Sequence, residues 1–151
     1  MLTSDAPKTL YGSDFYLWVQ TTAELLKEGK FEQLDLENLI EEIETMGRNE
    51  KRELKSRLTV LIEHLLKLKY WTEEKEANAR GWRSTVVEQR EQLLDLLKDS
   101  PSLKIVLENI FLDCYENARK NNIRKYAISP QLFPEQVSFL LEEVLDEDFL
   151  P

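Results

Sequence analysis

One cysteine and one histidine in 151 residues leave no partner for an intrachain disulfide and no second imidazole for a two-histidine metal centre within one subunit. Four glycines and five prolines are too few for the turns of a loop-rich β protein. No uncharged run approaches the roughly twenty apolar residues of a membrane-spanning helix. Met1–Tyr11 has no basic flank followed by an apolar stretch, so no secretory signal is expected, and with a single thiol the expected location is cytoplasmic. What is abundant is Leu, Glu and Lys, all strong helix formers. With 42% hydrophobic and 32% charged residues, the chain is too apolar for disorder and too charged for a membrane interior. Its length suits one domain.

The formal charge of −9 is unevenly spread. Residues 1–47 hold ten acids and three bases (−7), residues 48–90 seven and eleven (+4), and residues 91–151 twelve and six (−6). Nucleic-acid binders carry a basic field because phosphate contact drives their affinity. Here the basic middle has acidic neighbours on both sides, and neutralisation between adjacent helices is the economical expectation. A basic patch for RNA or for an acidic partner is the other reading.

The spacing of apolar residues predicts helices. Ser13 is a candidate N-cap with Asp14 in the first turn, and Phe15, Trp18, Val19, Thr22, Leu25 and Leu26 share one face, with Gly29 as C-terminal cap. Asp35 can cap the next helix. Its stripe Leu36, Ile40, Ile43 continues into Leu54, Leu58, Leu61, Ile62, Leu65 and Leu68. Leu36, Gly47 and Leu58 are eleven apart, nearly a whole number of turns, so the stripe keeps phase through Gly47. One long helix from Leu36 to about Trp71 is expected, with a break at Gly47 as the alternative. Glycine costs about 1 kcal/mol against alanine inside a helix, and close approach of a crossing helix would be a reason for it. Residues 72–79, TEEKEANA, read as a polar bridge. Trp82, Val86, Leu93 and Leu97 mark the next helix. Ser100-Pro101 reads as a helix start, followed by Leu103, Val106, Leu107, Ile110, Cys114 and Ala118. From Asn121 the pattern dissolves, and a short helix from Ser138 to about Leu145 precedes an acidic tail. The fold expected is all-α: an antiparallel bundle of four main helices with a long central helix and a short C-terminal one, a single domain over residues 13–151 behind a flexible segment 1–12.

Few residues suggest chemistry. Glu37, Glu41 and Glu44 lie at i, i+4, i+7 on one helix edge, but no Glu-x-x-His motif accompanies them, and a solvated acidic face is the bland reading. His64 borders the apolar stripe, where an imidazole could act as base or ligand or could simply bond a neighbouring helix. Arg80-Gly81-Trp82-Arg83 with Glu88 and Arg90 could hold a phosphate or stack a base, or clamp Glu41 or Glu44 within the chain. Cys114 falls on an apolar face, as a small core residue does. No cofactor motif or phosphate loop is present, and no metal site is assigned.

Several segments together resemble a known family. Asp14-Phe15-Tyr16-Leu17-Trp18, residues 34–44 (LDLENLIEEIE) and residues 51–58 (KRELKSRL) are similar to the uncharacterised bacterial family catalogued as domain of unknown function twenty-nine. So are His64-Leu65-Leu66-Lys67, Trp82-Arg83, Glu88-Gln89-Arg90, residues 99–103 (DSPSL) and residues 145–151 (LDEDFLP). The likeness runs from about residue 11 to the end. It implies a compact helical bacterial domain without established activity, and it includes Glu37, Glu41, Glu44, Arg57, His64, Trp82, Arg83, Glu88 and Arg90 as matched positions. Members have an aromatic-rich connection before the Trp-Arg block, where this chain has Thr72–Ala79.

Three functional readings follow. The first is a non-enzymatic helical interaction module for a protein partner or for self-association. The second is a metal-dependent hydrolase or nuclease using Glu41, Glu44, His64 and Glu88. The third is RNA or nucleotide binding through Arg80, Arg83 and Arg90 with Trp82, which the overall acidity disfavours; Arg57 stands beside Trp82, Arg83 and Arg90 as a candidate binding residue.

Overall fold

The computed structural model describes residues 6–151 and is all-α, with no strand among them. Its helices are α1 (Ala6–Ser13), α2 (Phe15–Lys27), α3 (Leu36–Tyr70), α4 (Thr72–Asp99), α5 (Leu103–Tyr126) and α6 (Leu141–Leu145), with single 3₁₀ turns at Phe31–Gln33 and Pro130–Leu132. The four main helices, the long central one and the short last one are those the sequence implies. The chain divides into two compact units, Met1–Asn49 and Glu50–Pro151. Residues 36–49 of α3 belong to the first and residues 50–70 to the second.

In the first unit the chain is already helical from Ala6, so residues 6–12 of the expected flexible segment form α1, while residues 1–5 lie outside the described residues. The N-cap of α2 is Asp14 rather than Ser13: its carboxylate accepts the Leu17 amide at 3.1 Å. Ser13 closes α1 instead, its hydroxyl donating to the Thr9 carbonyl. Gly29 ends α2 at φ +71°, where the Gly29 and Lys30 amides return to the Leu26 and Leu25 carbonyls in a Schellman cap. Trp18 is the buried anchor, with Tyr11 and Phe15 rings 5.0 and 5.7 Å away, and its indole N–H reaches the Asp35 carboxylate at 3.2 Å.

α3 runs unbroken through Gly47, where an added Cβ would meet nothing within 4 Å. Close approach of a crossing helix therefore does not explain this glycine. The apolar stripe changes character along the helix. Leu54, Leu58, Leu61, Ile62, Leu65, Leu66 and Leu68 are fully buried, whereas Leu36, Ile40, Ile43 and Met46 are 58%, 47%, 58% and 65% exposed.

The second unit is built on the buried stretch of α3, each leucine there contributing about 2 kcal/mol by leaving water. α4 starts at Thr72, so the expected polar bridge is itself helical and the connection is Trp71 alone. α4 runs antiparallel to α3, since Arg57 reaches Gln89 and Lys67 lies over Trp82. Ser100 is the C-cap of α4, and α5 begins after the turn at Leu103. α5 runs parallel to α3 at a constant offset, with Lys55–Cys114, Glu63–Asn122 and Lys67–Tyr126 all 59 residues apart. α5 continues to Tyr126, beyond the expected fading at Asn121, and stops where Ala127 takes a left-handed φ of 50°. Phe133, Phe139, Leu141 and Val144 of the C-terminal segment close the core.

Candidate functional site

The sequence-derived candidates divide between the two units. In the first unit, Glu41 and Glu44 are exposed and pair with Arg48 of their own helix at 2.9 and 3.8 Å. In the second unit, Glu88 and Arg83 are exposed, and Arg57 bonds Glu53 at 3.0 Å and Gln89 at 3.2 Å. Among the described residues, no group of three or more His, Cys, Asp or Glu side chains is placed to hold a metal ion.

Arg90 is 2% exposed, and the partners of its guanidinium are backbone carbonyls. Nε donates to Val144 at 2.8 Å, Nη2 to Phe149 at 2.9 Å and Nη1 to Glu147 at 3.5 Å. Burial lowers its pKa, opposed by Asp146 and Glu147. Arg90 thus fastens the end of α6 and the tail to α4, which occupies the fork that phosphate recognition would need. The same block supplies Trp82, 9% exposed and stacked on Trp71 with centroids 5.9 Å apart, so its faces are not open for a base.

The most unusual polar constellation in the second unit includes residues that sequence reasoning passed over. Lys67 is 2% exposed, yet its ammonium has no carboxylate partner among the described residues. It donates to Tyr126 Oη at 3.0 Å and lies 5.3 Å from the Trp82 centroid and 5.0 Å from the Tyr126 centroid. Trp71 closes the box against Tyr126 at 5.1 Å. Aromatic faces and one hydroxyl hold this cation in place of an anion. His64 lies one turn before it and is half-buried. Its Nδ1 is 2.8 Å from the Val60 carbonyl, which can only accept, so Nδ1 carries the proton and Nε2 keeps its lone pair. Burial lowers the His64 pKa, helped by Lys67 and opposed by the Val60 bond and Glu63. A lysine on the apolar stripe, three residues from a histidine and four from a tryptophan, was the legible signal.

Glu63 is a third buried charge of this unit, at 3% exposure. Its carboxylate accepts from Asn121 at 3.0 Å and Lys125 at 3.2 Å, and its carbonyl from Asn122 at 2.9 Å, fixing α3 against α5. Among the described residues, Lys125–Glu63 is the one ion pair between two different helices of the second unit. The others in that unit lie within a helix, so the basic middle is not neutralised across helices as its composition suggested.

Fold and site together define an all-helical protein with buried polar clamps. Residues 10–150 match the family model described as domain of unknown function DUF29, and the chain belongs to that family. No curated protein and no solved structure matches it.

Proposed function

We propose that the chain is a non-enzymatic helical module whose first unit docks a protein partner on the exposed apolar row of α3. The observation that carries this is the row itself. Leu36, Ile40, Ile43 and Met46 recur at i, i+4, i+7 and i+10 on one helical face, and each is about half exposed or more. Phe15, Val19, Leu26 and Phe31 of the same unit are exposed as well. Covering a Leu or Ile side chain is worth about 1.5–3 kcal/mol, so the row offers an association energy of several kcal/mol. Glu37, Glu41 and Glu44 flank it in a region of net charge −7, which favours a partner helix bearing apolar residues beside lysines or arginines. A second copy laid on the same row would bring glutamates against glutamates. A cytoplasmic location goes with this reading, since the one thiol is buried and unpaired.

The test is binding of a fluorescent amphipathic peptide helix of leucine and lysine, with a leucine–glutamate peptide as control. Ile40→Glu with Ile43→Glu adds two negative charges at exposed positions. Unspecific attraction of the cationic peptide would then strengthen, whereas docking on the row requires at least a tenfold loss, about 1.4 kcal/mol. Unchanged or tighter binding by the double variant, or equal binding of the acidic peptide, would sink the proposal.

A further inference from the structure

A second surface, within the other unit, has the opposite chemistry. One face of α3 presents Arg52, Lys55, Ser56, Thr59, Val60 and Glu63, and one face of α5 presents Asn117, Asn121 and Lys125; between them lies an open groove of about 520 Å³. The spacing of these residues is that of two helical stripes, so the groove is walled by packed helices rather than by loops. Its volume lies in the range of small-ligand clefts.

Its donors are unspent. Arg52, Lys55, Ser56 and Asn117 line the groove, and none of their side chains has a hydrogen-bond or ion-pair partner among the described residues. The Thr59 hydroxyl donates to the Lys55 carbonyl at 2.8 Å. Glu63 is the single acid in the lining. Its side chain is 4% exposed and already accepts from Asn121 and Lys125. Three cations less one acid give the lining a formal charge of +2 in a chain of net charge −9.

We infer that this groove binds the phosphate group of a small phosphate monoester. A guanidinium offers two parallel donors to phosphate oxygens, a nearby ammonium supplies a point charge, and hydroxyl and amide donors complete the shell. A monoester carries about −1.5 to −2 at neutral pH, which matches the charge of the lining. The volume left beyond the phosphate accommodates its organic group, for which Thr59, Asn117 and Asn121 are polar neighbours. An extended nucleic acid is the poorer match to a chain of net charge −9.

The test is titration of the full chain with inorganic phosphate and with ribose 5-phosphate, followed by ³¹P resonance position and by calorimetry, with ribose as control. Arg52, Lys55 and Ser56 are exposed, so Arg52→Gln, Lys55→Gln and Ser56→Ala are expected to fold as the parent does, checked by circular dichroism. Saturable binding of ribose 5-phosphate is expected, with roughly tenfold weakening on loss of either cation and a smaller loss for Ser56→Ala. Silence of both phosphates at millimolar concentration overturns the inference. So does binding that the Arg52 and Lys55 variants leave intact, since the anion would then sit elsewhere. Preferential binding of a single-stranded RNA 12-mer, with a salt dependence of many released counterions, would replace a monoester site by a nucleic-acid surface.

Discussion

Replacing Arg90 by alanine should detach the C-terminal segment. Two of its bonds, at 2.8 and 2.9 Å, are short and charge-assisted, and the third, at 3.5 Å, contributes little. At about 1.5 kcal/mol for each short bond the loss is about 3 kcal/mol. Truncating the buried stem adds to this, while relief of a desolvated guanidinium without a paired carboxylate subtracts a comparable amount. We therefore expect about 3 kcal/mol for Arg90→Ala. Arg90→Met, which keeps the stem and removes the charge, should lose about 2 kcal/mol. Urea unfolding at 25 °C reads this as a midpoint lowered by about 1.5 M for alanine, taking a slope near 2 kcal/mol/M. Hydrogen exchange resolved by peptide should show residues 144–149 opening before the rest of the second unit. A loss within about 0.5 kcal/mol of zero, or a tail that stays as protected as in the parent, would refute the reasoning that the guanidinium holds these carbonyls.

Two further outcomes follow from buried groups. The His64 pKa is lowered in the folded chain, so the unfolded state binds the proton more readily; its contribution is complete above the unfolded value of about 6.5 and is lost as pH falls through the folded value. His64→Gln should flatten the stability profile in that acid window by at most about 1.4 kcal/mol per pH unit, and an unaltered profile would argue against it. Cys114 is fully buried, and burial raises its thiol pKa, so it should resist a disulfide reagent at pH 8 until the chain unfolds; rapid labelling of the folded chain would contradict its core placement.

Periodicity carried the fold well where one face of a helix meets a core. The phase-keeping stripe from Leu36 to Leu68 placed α3 almost to the residue. The same periodicity could not distinguish Ile40 from Leu61, because amphipathic spacing says which residues share a face and not whether that face is covered. TEEKEANA looked like a linker for lack of apolar residues, but helix formers with two acids in the first turn extend α4 to the Trp71 joint without needing a stripe. Of the candidate site, the importance of Arg90 was legible and its partner was not. Its guanidinium binds backbone carbonyls, which are the same for every side chain and leave no mark in composition. Lys67 shows in the sequence as a lysine on the apolar stripe, but its partners do not, since aromatic faces and a hydroxyl hold the cation and no acid is spaced to mark them.

The joints at either end of α4 have a consequence for how this chain can change. One residue separates α3 from α4, and three, Ser100–Ser102, separate α4 from α5, so neither joint has slack to absorb an alteration in length. The parallel register of α5 on α3 is then measured out by the 28 residues of α4, about 42 Å of helix. One residue inserted there would turn everything downstream by about 100° and carry Glu63's partners Asn121, Asn122 and Lys125 off their face. Seven residues inserted there would restore the face but slide α5 along α3 by about 10 Å, so a change in the length of α4 is expected only with a matching change in α3 or α5, while substitutions on the outer face of α4 are left free.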